Sequence, residues 1–340
     1  MTTKNINEKN EEEFITKKRF EEPEEGKEKF NIKKEKEKDN LINFLAKYLA
    51  QIEDVEQLIA IITLIVISWD APSQRKRTNL EAWQVINSAQ GQGGSGGRVK
   101  ALEYLNNQQE SMSGLTAFDA DLTGVNLRKA DLFRANLKST CLNNSDLMGA
   151  DLREAKLHGG KLRNANLQKA DLSRADLTNA KLENADLTNA KLNAANLSHA
   201  DLIDANFENA DLTNAELNNA DLRNANLFCV ELNRTQLKKA NLCRTDLRKS
   251  QLIGTNLENA NLWRSNLSNA QLHNADLSCT NLSLTDLSHA DFKNTNLNNA
   301  NLDRANLKGA INLTVEQVQA ANNWDTAYYD PEFSKRLGLS

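Results

Sequence analysis

From Leu122 to Leu307 the chain places a large apolar residue at every fifth position, 38 times in succession without a slip. That residue is Leu in 36 units and Phe at 207 and 292. Two places earlier the side chain is always small: Ala in 25 units, otherwise Thr, Ser, Val or Gly. One place earlier it is Asp or Asn in 28 units, and the remaining two positions vary and are mostly polar. An α-helix repeats on one face at about 3.6 residues and a strand at about 2. A period of five fits neither and demands a different backbone geometry.

The pattern A-(D/N)-L-x-x, held over about 190 residues, resembles the pentapeptide repeat family. The flanks "AWQVINSAQGQGGSGGR" and "LTVEQVQAANNW", followed by "YDPEF" and "LGL", are similar to segments that bracket the repeats in many bacterial members. The resemblance implies an all-β repeat solenoid, a right-handed quadrilateral β-helix in which each pentapeptide forms one side of a square coil. On that geometry the chain returns after 20 residues and each Leu lands over the Leu one coil before. Four Leu columns then fill the centre, and the small residues let the walls approach. With coils at the usual strand spacing of about 4.8 Å, the repeats make roughly 9.5 coils and a rod about 46 Å long. Each unit buries its Leu only because neighbours stack on it, so both ends need caps.

The rest of the chain supplies those caps and two further segments. Residues 1–39 carry 11 Lys+Arg against 12 Asp+Glu and few apolar residues, as expected of a solvated tail that is disordered or transiently helical. Residues 40–77 are expected to be an apolar helical segment, with Val55–Trp69 nearly all apolar apart from Glu56 and Gln57. About a dozen apolar residues fall short of the roughly 20 that a membrane span requires. The cationic flank Arg75, Lys76 and Arg77 suits the cytoplasmic side of an anchor, so an anchor at 55–69 and a buried or interfacial helix both stand. Residues 78–114 are expected to be a helical N-terminal cap with a Gly-rich loop. Thr78 and Glu81 read as a capping box opening a helix that stops at Gly91. A second helix, "RVKALEYLNN", presents Val99, Leu102 and Leu105 on one face. The repeat occupies 115–310, and 311–340 form a C-terminal cap and tail in which Thr314 and Gln317 make a further capping box.

Composition narrows the chemistry. Only 5% of residues are aromatic, so the core is Leu and Ala. Cys141, Cys229, Cys243 and Cys279 contain no C-x-x-C pair, which suggests no disulfide framework and a reducing compartment. The charged start is unlike a secretory signal, and the expectation is a cytoplasmic protein, free or attached to the cytoplasmic face of a membrane. Gly91, Gly93 and Gly96 satisfy G-x-G-x-x-G, but a helix rather than a strand precedes them, so the dinucleotide fingerprint is rejected. The register puts Cys141 and Cys243 five coils apart, and His158 and His199 two coils apart in different columns. No set converges as a metal site needs, and a solid Leu core leaves no cleft. No catalytic, cofactor or metal residues are assigned.

The reading is therefore a non-enzymatic protein-interaction or scaffold module. Some members of the family imitate DNA and inhibit DNA gyrase, which makes a topoisomerase-directed DNA mimic the alternative. DNA carries about one charge per 1.7 Å, whereas residues 119–308 of this chain sum to zero charge. The same balance disfavours nucleic acid as a ligand, since a binder shows a basic stripe. The candidate partner patch is Arg244, Trp263, Arg264 and Leu284, brought together by the 20-residue coil, with Cys243 adjoining. An outward Trp among Arg has the composition of a binding hot spot; the plain alternative is one ordinary exposed side chain.

Overall fold

The computed structural model describes residues 73–88 and 97–339. The chain divides into two units, Met1–Lys76 and Arg77–Ser340. The tail at 1–39, the apolar stretch at 55–69 and the Gly-rich loop at 89–96 lie outside the described residues. Among the described residues no helix is long and apolar enough to cross a membrane.

The second unit is the quadrilateral solenoid that the period of five requires. Parallel bridges join residues 20 apart, from Thr116↔Asn136 through Asp291↔Ile311. One unit, Lys181 to Ala185, shows why five residues suffice. The amide of Asp201 donates to the Ala180 carbonyl one coil back at 2.9 Å, and that of Leu182 donates forward to Asp201 at 2.7 Å. Asn184 donates to the Ile203 carbonyl of the next coil at 3.0 Å, and Ala185 closes the turn onto Leu182 at 2.9 Å. The amide just after each Leu is the one the backbone leaves over. The Asp or Asn two places before it accepts that proton, as when Thr178 donates to Asp176 at 3.0 Å and Trp263 to Asn261 at 3.2 Å. Where that position is Lys or Gln, an Asn of the preceding coil can substitute: Arg163 donates to Asn143 and Lys238 to Asn218, each at 3.0 Å. The repeat thus supplies acceptors for nearly all of its own backbone donors, which a buried backbone requires.

The second residue after each Leu turns the corner. It sits at φ near +57° throughout, at Asn184, Asn189 and Arg264 among others. Left-handed backbone at the second central residue is the signature of a type II turn and favours Gly and Asn. The Leu columns are fully buried, Leu182, Leu202 and Leu222 at 1% exposure or less, and Phe207 and Phe292 occupy the same sites at 0%. Thr and Ser replace Ala in the small column without an orphaned hydroxyl in most cases. Thr235 Oγ1 donates to the Leu212 carbonyl at 2.8 Å and Thr255 to Leu232 at 2.6 Å. A hydroxyl so satisfied escapes most of the cost of burying a polar group.

The ends depart from the expectations drawn above. The coil register starts earlier, with Met112 and Ala117 buried in the Leu column and Met112 donating to the Asp131 carbonyl at 2.9 Å. Helix α1 covers residues 73–88, so Thr78 lies inside a helix rather than opening one. Arg77 and Glu81 form an i,i+4 ion pair there instead, at 3.1 Å. Helix α2, Arg98–Asn107, starts from Gly97 at φ +83°. It buries Leu102 and Leu105 as expected, but the further fully buried member of that face is Arg98, with Val99 only partly covered. Burial lowers the Arg98 pKa, and the charge of Asp121 partly opposes that shift. Glu103 accepts from the Asn126 amide at 2.9 Å, covering an exposed wall edge.

At the other end, helix α3, Val315–Gln319, begins with the expected capping box, both of its hydrogen bonds present. The Gln317 side chain also donates to the carbonyls of Phe292 and Thr295, at 2.9 and 2.8 Å. The chain then re-enters the solenoid with the spacing slipped, Asn322 bridging Asn301 and Tyr328 bridging Asn306. Helix α4, Pro331–Leu337, ends at Gly338 and buries Leu337 beside Tyr329 in the same apolar cluster.

Candidate partner-binding site

Trp263 stands at the first residue after Leu262, where the side chain leaves the wall, and it is half-buried there. The 20-residue coil puts Cys243, Arg223 and Ile203 successively behind it in the same column. Arg244 and Arg264 hold the adjacent corner column at φ +62° and +57°. Both guanidinium groups lie over the indole ring, Arg264 at 4.4 Å and Arg244 at 5.3 Å from its centroid. These are cation–π distances, worth about 0.5–1 kcal/mol each at exposed sites. Three of the four residues expected to converge therefore do so.

Leu284 continues the corner column one coil further, 38% exposed and at φ +58°. Leu284 is the only large apolar side chain at a left-handed corner among the described residues. Left-handed backbone costs an L-residue roughly 1–2 kcal/mol, a cost that every non-Gly corner of the solenoid bears.

Behind the indole lies an open cleft of about 270 Å³ lined by Ile203, Arg223, Asn224, Cys243, Arg244 and Trp263. The expectation that a solid core leaves no cleft describes only the interior of the rod. On the wall, unequal side-chain heights leave a depression between Trp263 and Ile203. Ile203, Arg223 and Asn224 were missed as site residues, although counting back from Trp263 in steps of 20 finds the first two. Arg223 is held by Asp221 at 2.7 Å, and that hydrogen bond and charge pairing raise its pKa. Two larger clefts lie at the ends, about 500 Å³ beside α2 and about 440 Å³ beside Tyr328 and Tyr329. Among the described residues no group of three His, Cys, Asp or Glu could hold a metal ion.

Other proteins resemble this chain. The family model for pentapeptide repeats matches eight overlapping stretches between residues 118 and 313. HetL of the cyanobacterium Nostoc sp. strain PCC 7120, a pentapeptide repeat protein involved in heterocyst differentiation regulation, is 33% identical. The match covers 67% of this chain and 92% of HetL, with a TM-score of 0.40. Rfr23 of the cyanobacterium Cyanothece 51142 is 28% identical over 35% of this chain and 64% of its own, with a TM-score of 0.23. QnrB1, a plasmid-mediated fluoroquinolone resistance protein, is 20% identical over 67% of this chain and 97% of its own, with a TM-score of 0.28. No curated protein matches. With the family model matched over more than half of the chain, the chain belongs to the pentapeptide repeat family.

Proposed function

We propose that this protein is a non-enzymatic interaction module that presents a partner-binding patch on a rigid wall, centred on Trp263 and flanked by Arg244, Arg264 and Leu284. The observation that carries this reading is the half-buried indole with two guanidinium groups over it, beside a cleft of about 270 Å³. Trp and Arg dominate binding hot spots. A wall whose backbone is held by its own hydrogen bonds loses little conformational entropy on binding, which favours affinity.

DNA mimicry is the reading this displaces. A mimic needs a continuous run of unneutralised negative charge, whereas many carboxylates here are paired. Asp146 meets Arg128, Glu154 meets Arg134, Asp246 meets Arg248 and Glu258 meets Lys238, all within 3.0 Å.

The test is affinity capture from extract with the intact protein, its Trp263→Ala variant and a Ser198→Ala control on another wall. A protein retained by the intact chain and the control but lost with Trp263→Ala is the expected result. Identical capture by all three would remove the patch from consideration. Inhibition of gyrase supercoiling by the purified protein would restore the mimic.

A further inference from the structure

We propose that the Trp263 wall recognises an acidic segment of a partner protein, its carboxylates gripped by Arg244 and Arg264 and a neighbouring apolar side chain seated in the cleft. This rests on the interaction reading above and specifies the chemistry of the partner.

The argument comes from three places on the solenoid where cations lie over an outward aromatic ring. Phe133 has Arg134 at 4.8 Å and Arg153 at 5.5 Å. Both of those cations are neutralised, Arg134 by Glu154 at 2.7 Å and Arg153 by Asp151 at 2.5 Å. Phe228 has Arg248 at 5.4 Å and Lys249 at 5.6 Å, and Arg248 is paired with Asp246 at 2.6 Å. Over Trp263 the pattern changes. Among the described residues neither Arg244 nor Arg264 forms an ion pair with a carboxylate of this chain.

The cause lies in the wall itself. Where the wall of Phe133 carries Asp131, Asp151 and Asp171 in its bridging column, the wall of Trp263 carries Asn241, Asn261 and Asn281. Those amides satisfy one another, Asn261 donating to Asn241 at 3.2 Å and Asn281 to Asn261 at 3.0 Å. Their remaining capacity goes to the turn amides of Cys243, Trp263 and Ser283. The nearest acid of that column, Asp221, is taken up by Arg223 at 2.7 Å, so the column offers the two guanidinium groups no free anionic acceptor. Each keeps a planar fork of donors suited to bidentate carboxylate binding. The aromatic surface lowers the local dielectric and strengthens such a bond.

Apolar surface flanks the cations on both sides. Ile203 and Cys243 line the cleft behind the indole, and Leu284 is held exposed on the other side. A segment carrying one or two carboxylates next to a Leu or Phe matches this order of surfaces. A nucleic acid fits less well. Its phosphates need an extended basic track, but the same wall carries Glu183, Asp201 and Asp204 within the preceding coils.

The experiment uses the full chain and an array of 15-residue peptides in three sets, with labelled duplex and single-stranded DNA as further probes. One set carries Glu or Asp beside Leu or Phe, the second replaces each acid by its amide, and the third replaces it by Lys. Binding to the acidic set is expected to be at least tenfold tighter than to the amide set and to weaken with added salt. It should fall at least tenfold in the Arg244→Gln, Arg264→Gln double variant. Arg153→Gln, which leaves the Trp263 wall untouched, should bind as the intact protein does. Thermal melts and circular dichroism confirm that each variant is folded. Equal binding to acids and amides, preference for DNA, retention of no peptide, or indifference to the double substitution would each overturn the proposal. A partner captured through Trp263 that ignores both arginines leaves the interaction reading in place and removes only the acidic specificity.

Discussion

The guanidinium carbon of Arg264 lies 4.4 Å from the centroid of the Trp263 ring, and that of Arg244, one coil away, lies 5.3 Å from it. Neither contact belongs to the core, so the ring can be removed without opening the solenoid. Trp263→Ala should cost about 1–2 kcal/mol of stability, the scale of two exposed cation–π contacts. It should cost about 2 kcal/mol or more of partner binding, the scale of a hot spot. Denaturant melts and a binding titration, run beside Ser198→Ala, measure both. A large stability loss with unchanged affinity would reverse the assignment.

The inward and outward faces are tested by Leu202, fully buried in a column with Leu182 and Leu222. Leu202→Ala should cost about 2–5 kcal/mol. Leu202→Asp should cost more, because the charge gains no partner among leucines. Asn184→Asp, at an outward corner where Asp also tolerates left-handed backbone, should stay within about 0.5 kcal/mol. Comparable losses at 184 and 202 would mean that the two faces have been exchanged.

The coil was legible in the sequence because every unit repeats the same pattern of backbone pairing, and a strict period survives any choice of outward residues. The ends were not legible, for physical reasons. Ala117 fills a Leu site with a residue too small to announce it, and Met112 stands alone before it. Asn322 and Tyr328 rejoin the solenoid after α3 interrupts the spacing, bridging Asn301 and Asn306 out of the 20-residue register, so counting along that column does not lead to them. Thr78 and Glu81 satisfied a capping pattern that the chain uses mid-helix. Arg98 is polar on a face judged by its apolar members. The corner position varies in residue type, yet the recurrence of Asn and Gly there, as at Asn179, Asn184 and Gly254, is a visible sign of positive φ. Of the patch, the column positions followed from the period. The cleft did not, since its depth depends on how far neighbouring side chains rise.

Asp201 gives the pH prediction. Burial raises its pKa above the usual carboxylate value, and the charges of Glu183 and Asp221 add to the shift. The Ile203 amide offsets only part of this, its bond being long at 3.4 Å against 3.0 Å for the equivalent bond at Asp176. A folded pKa above the unfolded one means the fold prefers the protonated acid. The associated stability is fully present below the unfolded value near about 3.9 and is lost as pH rises through the folded value. The Asp201→Asn variant, which keeps the acceptor without the charge, should therefore melt higher than the parent at pH 7. Melts of variant and parent should converge toward about pH 3.5, below the unfolded value. A variant that melts lower at pH 7 would contradict the direction of the shift.

Gln317 ties the C-terminal helix to the last complete coil through the carbonyls of Phe292 and Thr295 and the amide of Thr314. Gln317→Ala leaves those carbonyls without their donor and breaks half of the capping box. A cost of about 1–2 kcal/mol is expected. The loss should be local, appearing as faster hydrogen exchange at Asn299, Leu302 and Leu307, whose amides pair with Ala320, Asn322 and Tyr328. Exchange that accelerates equally at Leu182 and Leu202 would show one cooperative unit with no separable cap.

Leu284 separates folding from function at a single residue. Its corner is left-handed, at φ +58°, a conformation that Asn adopts far more readily than Leu. Asn fills the same corner column at 144, 164, 184 and 224. Little core is at stake, because the side chain is 38% exposed while Leu282 beside it is fully buried. Relief of strain should outweigh the lost surface contact, so Leu284→Asn should be as stable as the parent or higher by about 0.5–1 kcal/mol. If the strain is retained for binding, the same change should weaken capture of the partner, giving a variant that folds better and binds worse. Thermal melts and the peptide titration together read this out. A drop of more than about 1 kcal/mol in stability would show that packing holds Leu284 in place, and unchanged binding would remove it from the patch.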